Sequence, residues 1–160
     1  MKSSITKGIA VLVVCAAASI TRVEAADELF RASEFSLSLF GGWVDKDDSD
    51  FTPGAGLTYY ITKHIGVGAA TYWENWEGTF FDNVAGEGYF RLPIGDLPIA
   101  PYAVFAFGYS FESEETFESF GLGAEWKFNA KWSVFGDVRY LINNDTDDGA
   151  ALRLGARLSF

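Results

Sequence analysis

From residue 150 to the end of the chain, Ala150, Leu152, Leu154, Ala156, Leu158 and Phe160 fall on one register and Ala151, Arg153, Gly155, Arg157 and Ser159 on the other. Successive side chains leave a strand on opposite sides, so a period of two with unlike registers demands an extended segment between two different surroundings. The same split recurs where Phe120, Leu122, Ala124, Trp126 and Phe128 stand opposite Ser119, Gly121, Gly123, Glu125 and Lys127. Trp132, Val134, Val138, Tyr140 and Ile142 stand opposite Ser133, Asp137 and Arg139, with Phe135 and Leu141 as exceptions. Weaker copies run through Phe35, Leu37, Leu39 and Trp43, through Ala55, Leu57, Tyr59 and Ile61, and through Ile65, Val67, Ala69 and Trp73. Two more span Val84 to Leu92 and Ile99 to Tyr109, which makes eight candidate strands.

The connections sort by chemistry. Short turns are expected at Thr62-Lys63-His64, from Pro93 to Pro98, and at Asn129-Ala130-Lys131. Longer segments at 45–52, 74–83, 110–118 and 143–149 carry Asp45, Asp47, Asp48, Asp50, Glu74, Glu77, Asp82, Glu112, Glu114, Glu115, Glu118, Asp145, Asp147 and Asp148, with Lys46 as their only base. Alternating connections of this kind give an up-and-down antiparallel sheet with one strongly negative end and one tight, slightly basic end.

The chain opens on Lys2 and Lys7, then an apolar run from Gly8 to Ile20, then Val23-Glu24-Ala25. A basic start, a short apolar stretch and a small residue describe a secretory signal peptide, and the run falls short of the roughly 20 residues a spanning helix needs. Cleavage is expected after Ala25, leaving 26–33 as an N-terminal periplasmic segment and 34–160 as the folded domain. Cys15 hints at a lipoprotein signal, but Val14 stands where such a signal has a small residue. The exported chain would carry 9 bases against 21 acids and no cysteine. That balance opposes nucleic-acid binding, and one Cys and one His in the entire sequence remove disulfide scaffolds and Cys/His zinc sites.

Two architectures accept eight such strands. A soluble barrel of lipocalin type would turn the apolar register inward. A membrane barrel inverts that assignment and places aromatic girdles at both edges of an apolar band about 25 Å tall. Apolar-register aromatics cluster near strand ends: Trp43, Trp73, Tyr109, Phe120 and Tyr140 toward the acidic segments, and Tyr59, Phe90, Trp126, Phe128, Trp132 and Phe160 toward the short turns. Leu37, Leu39, Val67, Leu122 and Leu154 occupy the middles. The opposite register holds Glu34, Glu87, Glu125 and Asp137 beside Arg91, Lys127, Arg139, Arg153 and Arg157. A solvated face would share the acidic bias of the chain; a balanced set points to enclosed ion pairs, which are costly to bury unless matched. Facing Arg153 and Arg157 to lipid would cost about 2–4 kcal/mol each near the midplane, and an eight-stranded barrel has an interior just wide enough for side chains. The expectation is therefore an all-β, eight-stranded antiparallel up-and-down transmembrane β-barrel with short periplasmic turns, longer acidic extracellular loops and an ion-paired lumen formed by Glu87, Arg91, Glu125, Lys127, Asp137, Arg139, Arg153 and Arg157.

The leader, the eight alternating strands, the Pro101-Tyr102-Ala103 strand opening, the Val138-Arg139-Tyr140 segment and the terminal Leu158-Ser159-Phe160 together resemble the small outer-membrane β-barrel proteins of the OmpA/OmpX and opacity-protein type. The resemblance spans roughly residues 34 to 160. It implies residence in the outer membrane, contact with its lipid and lipopolysaccharide, a monomer, and assembly by the barrel-assembly machinery through a signal made of Phe160, Leu158 and Leu154. Full-length OmpA-type proteins continue into a peptidoglycan-binding domain, which this sequence does not, so tethering to the cell wall is not implied.

Motifs for chemistry are sparse. Gly54/Gly56, Gly86/Gly88 and Gly121/Gly123 do not complete a GxGxxG ahead of a helix. In the stretch 143–149 the glycine falls one position late for an EF-hand, and Leu154 occupies its twelfth position instead of Glu. Weak oxygen-ligated Ca²⁺ or Mg²⁺ at the acidic loops stays open, and no cofactor is expected. His64 reads as an exposed turn residue far from those loops. A non-enzymatic barrel serving envelope structure or surface-loop interactions leads. An adhesin or host-binding role, motivated by Trp76, Phe80, Phe81, Phe111 and Phe117, and a lipid-modifying enzyme or narrow porin are the alternatives.

Overall fold

A computed structural model describes residues 29–45, 50–73, 82–111, 114–143 and 149–160. Eight strands follow in chain order: β1 (Glu34–Asp45), β2 (Asp50–Tyr60), β3 (Ile65–Tyr72), β4 (Asn83–Arg91), β5 (Ile99–Ser110), β6 (Glu115–Lys127), β7 (Trp132–Asn143) and β8 (Gly149–Ser159). Each pairs antiparallel with its sequence neighbours, and β1 pairs with β8 from Ser36↔Ser159 to Asp45↔Ala150, closing the barrel. Closure leaves no unpaired edge. Among the described residues no helix is long and apolar enough to cross a membrane, a test that does not bear on barrels.

The side-chain registers divide inside from outside. Leu122 is 72% exposed and Leu39 62%, whereas Arg153 is 2% and Arg157 1% exposed. An apolar face outward and charges inward is the inverse of a water-soluble core, and it is the arrangement a bilayer requires. Phe135, an exception to the sequence pattern of β7, points inward and packs edge-on to Phe40 at 6.3 Å between ring centroids. Tyr102, Val104 and Ala106 give β5 an apolar inner face as well, so its sequence reads as greasy on both sides.

Prolines sit where the ladder tolerates a missing N–H. Pro53 accepts from Trp73 N at 2.9 Å just past the end of β3, and Pro101 accepts from Leu92 N at 2.8 Å just past the end of β4. Two turns are built by side-chain acceptors. Asn129 Oδ1 accepts from Lys131 N at 2.8 Å and Trp132 N at 2.9 Å; Thr62 Oγ1 accepts from His64 N and Ile65 N.

The strands run further than the alternation indicated. The β1–β2 connection is only 46–49 and the β5–β6 connection only 111–114, where 45–52 and 110–118 had been expected. Backbone pairing continues through Val44↔Asp50 and Ser110↔Glu115, toward the loops, where polar and apolar residues mix on both registers and alternation carries no signal. Phe117 and Glu118 consequently belong to β6. Glu114, directly ahead of β6, has φ +57°.

Candidate functional site

The barrel interior is a side-chain network in two ionic layers. On the loop side, the Asp137 carboxylate accepts from Arg139 Nε at 2.8 Å, Arg153 Nε and Nη2 at 2.9 Å each, and Tyr102 OH at 2.7 Å. Glu87 Oε1 accepts from Arg139 Nη1 at 2.7 Å and Arg153 Nη1 at 3.2 Å, while Tyr89 OH donates to Glu87 Oε2 at 2.5 Å. Tyr72 OH lies 2.9 Å from Arg153 Nη1. The Arg153–Asp137 contact is a two-pronged fork, the geometry in which a guanidinium binds a carboxylate most strongly, and it follows from the β7–β8 register, which makes the two residues Cα partners.

The turn-side layer joins Glu34 and Glu125 to Arg91, Lys127 and Arg157. Lys127 Nζ lies 2.6 Å from Glu34 Oε1, which also accepts from Ser159 Oγ at 2.9 Å. Arg157 Nη1 donates to Glu125 Oε2 at 2.8 Å and to Tyr60 OH at 3.1 Å; Ser133 Oγ donates to Glu125 Oε1 at 2.8 Å. Arg91 Nη1 bridges Glu125 at 3.5 Å and Glu34 at 3.6 Å. Its guanidinium carbon stands 3.6 Å above the Tyr60 ring, a cation–π contact. Between the layers lie Phe40 and Phe135, the first 4.6 Å from the Arg153 guanidinium and the second 4.7 Å from that of Arg157.

All nine charged side chains of these layers are buried. Moving an unpaired charge out of water costs several kcal/mol even after relaxation, and here the carboxylates collect three or four donors apiece. Arg91 Nη2, Arg139 Nη2 and Arg157 Nε make no hydrogen bond to the described residues. Small inward residues make room for the rings. A methyl on Gly123 would stand 2.7 Å from Tyr102 Cζ, and one on Gly66 the same distance from Tyr60 Cδ1; packing accounts for these glycines without a phosphate.

The structure thus brings Glu87, Asp137, Arg139 and Arg153 into one cluster and Arg91, Glu125, Lys127 and Arg157 into another. Sequence reasoning did not place Tyr60, Tyr72, Tyr89 and Tyr102 in the lumen, where the Tyr60 hydroxyl bonds to the turn-side layer and those of the other three to the loop-side layer. The available signal was their position in the charged register, and Tyr60, Tyr89 and Tyr102 each lie two residues or one ladder step from a lumen charge. It also passed over Leu29 and Phe30, which are buried against Ala100 at the turn-side mouth.

Outside, Trp43 meets Phe51 edge-on at 5.2 Å, Tyr109 meets Phe111 at 5.3 Å and Phe120 meets Tyr140 at 5.6 Å toward the loops. Trp126 meets Phe128 at 5.7 Å toward the turns, where Trp132 is half-exposed to the surroundings. Trp73 is half-buried beyond the end of β3. Phe160 is 68% exposed, its N–H donating to Phe35 O at 2.8 Å, with Leu158 and Leu154 on the same outward register of β8. Of the acidic set, Glu114 is exposed and Glu115 half-buried at the start of β6, and Asp45 ends β1. Asp47, Asp48, Asp147 and Asp148 lie outside the described residues, as do Trp76, Phe80 and Phe81 and the proposed leader. Phe117 packs its ring over Gly108 in the inward register, which removes it from the set of loop aromatics. His64 is half-buried instead of exposed, because its Nδ1 sits 3.0 Å from Arg91 O in the turn. Among the described residues no group of three or more His, Cys, Asp or Glu side chains is arranged to hold a metal.

The family model for the outer membrane protein beta-barrel domain matches residues 9–160. This chain belongs to that family. Solved barrels share its fold at low sequence identity. The N-terminal β-barrel domain of Pseudomonas aeruginosa OprF superimposes with a TM-score of 0.65 at 10% identity, covering 81% of this chain and 98% of that one. OprG from Pseudomonas aeruginosa gives 0.54 at 13% identity over 83% and 98% of the two chains. Ail, the attachment invasion locus protein of Yersinia pestis, gives 0.52 at 14% identity over 81% and 99%. No curated protein matches the sequence. Family membership places the chain with the outer-membrane β-barrels.

Proposed function

We propose that this protein is a non-catalytic integral barrel of the outer membrane whose lumen is closed to ions and whose acidic loops face the outside of the cell. The observation that carries the reading is the pairing of an exposed apolar belt with nine buried charges, four acids and five bases, in two ion-paired layers. Such an interior is a rigid strut and offers no continuous water path. Residues 1–25 act as the cleaved leader, Phe160 with Leu158 and Leu154 presents the assembly signal, and the outer rim meets lipopolysaccharide. Against catalysis stands the sole histidine, which is held in a turn at the end opposite the acidic loops.

A surface-binding role is the second reading, favoured by Phe111, 53% exposed at the tip of the β5–β6 hairpin. Ail was crystallised with sucrose octasulfate, a heparin analogue. The loops and the strand ends beside them carry fourteen acids and one base, so a ligand of this protein would be cationic or apolar, because a polyanion meets like charge. Cell fractionation combined with protease shaving of intact cells tests the main reading. The protein should sediment with outer membranes, resist extraction at high salt and lose its loops to external protease. Recovery in the soluble periplasm would overturn it.

A further inference from the structure

Ahead of β1 the chain turns back on itself. Ser33 adopts φ +56°, a left-handed conformation unusual for a residue with a side chain. Arg31, Ala32 and Ser33 are exposed, yet Leu29 and Phe30 beyond them are 2% and 1% exposed. The segment therefore leaves the barrel wall at Glu34, passes through solvent and returns to cover the turn-side mouth. Phe30 lands on the cationic layer. Its ring centroid is 4.9 Å from the Arg91 guanidinium carbon and 5.3 Å from Lys127 Nζ. That layer holds three bases, Arg91, Lys127 and Arg157, against two acids, Glu34 and Glu125, so it carries one surplus positive charge. An aromatic face is a ligand for such a surplus, and it also keeps out the water that would weaken the pairs beneath. No strand pairing depends on Leu29 or Phe30.

We infer that Leu29 and Phe30 form a stopper, separable from the barrel, that docks on the surplus cation of the turn-side layer and seals the lumen from the periplasm. This rests on the closed-lumen reading, to which it adds a second, detachable barrier. Among the described residues the segment is held by apolar burial, by cation–π contact and by one hydrogen bond, from Arg31 N–H to Glu34 Oε2 at 3.4 Å, none of them part of a strand ladder, so it can lift without unfolding a strand.

The test uses a thiol inside the seal. Ser36 is 1% exposed on the inner face of β1, one inward step above Glu34. The Ser36→Cys variant is made with Cys15→Ser, so that it carries the only thiol, and is refolded into phospholipid vesicles with and without Leu29→Ala/Phe30→Ala. The probe is the anionic reagent methanethiosulfonate ethylsulfonate, and the heat-dependent gel shift of a folded barrel confirms that each variant is assembled. The account predicts slow labelling with the stopper present and labelling roughly tenfold faster or more without it, since a sealed group reacts only through local opening. Equally slow labelling in both overturns the stopper and leaves the ion-paired closure standing. Equally fast labelling in both overturns the stopper and the closed lumen together.

Discussion

Asp137→Asn tests the lumen network at its most connected point. Asp137 Oδ1 accepts two Nε–H groups, from Arg139 and Arg153, and Oδ2 accepts Arg153 Nη2–H and Tyr102 O–H. Asparagine keeps the shape, but whichever way the amide turns, its NH₂ faces two donors. Two hydrogen bonds to or from charged groups are lost at about 1.5–3 kcal/mol each. The loop-side layer, neutral with Glu87 and Asp137 against Arg139 and Arg153, becomes +1 in a buried site. Removing one partner of a buried pair costs about 3–5 kcal/mol, and both routes converge on about 4 kcal/mol. With a urea slope of about 2 kcal/mol/M, the unfolding midpoint in lipid vesicles, followed by tryptophan fluorescence, should fall by roughly 2 M. Glu118→Gln, on an exposed carboxylate of β6, serves as the control and should shift it by no more than a surface charge does, about 0–1 kcal/mol. Adding Arg139→Gln to Asp137→Asn restores neutrality and should recover part of the loss, a coupling of about 0.5–3 kcal/mol. A loss for Asp137→Asn no greater than that of Glu118→Gln would refute the claim that this network is dry and interdependent.

Leu122, the most exposed apolar side chain of β6, faces outward at mid-strand, so Leu122→Arg should cost about 2–4 kcal/mol in refolding to vesicles; a neutral effect would mean that the position meets water. Deleting Phe160 should lower the yield of membrane-assembled protein in cells, and unchanged yield would remove it from the assembly signal. In planar bilayers the protein should show negligible single-channel conductance, whereas large steady currents would contradict the closed lumen.

Legibility of the fold in the sequence varied with burial chemistry. β8, and β6 from Ser119 onward, were plain because every inward residue is charged, small or hydroxylated while every outward one is apolar. β5 carries Tyr102, Val104 and Ala106 inward and Phe105 and Phe107 outward, so its faces differ in size rather than polarity. Strand ends near the loops escaped detection for a related reason: the ladder continues through Val44↔Asp50 and Ser110↔Glu115, where the two registers no longer differ in polarity, and a pattern based on side chains stops short. The charged inner register was readable, but the partners within it were not. Arg153 meets Asp137 through the β7–β8 register, whereas Glu87 meets Arg139 across the lumen from β4 to β7, a distance set by closure. Tyrosines such as Tyr89 were ambiguous because the same residue type serves an interface girdle and a wet-ended core. Phe30 lacked any periodic signal, its position depending on one left-handed turn at Ser33.

The orientation of the two registers is tested most directly by spin-label accessibility. A nitroxide placed singly by Leu122→Cys, by Leu154→Cys and by Ser119→Cys, each with Cys15→Ser, would be read in vesicles against dissolved oxygen and a water-soluble nickel chelate. The account predicts high oxygen and low nickel collision rates at 122 and 154, as in hydrocarbon, and protection from both at 119, inside the lumen. Nickel access at 122 and 154, or burial of both from oxygen with 119 open to water, would contradict it.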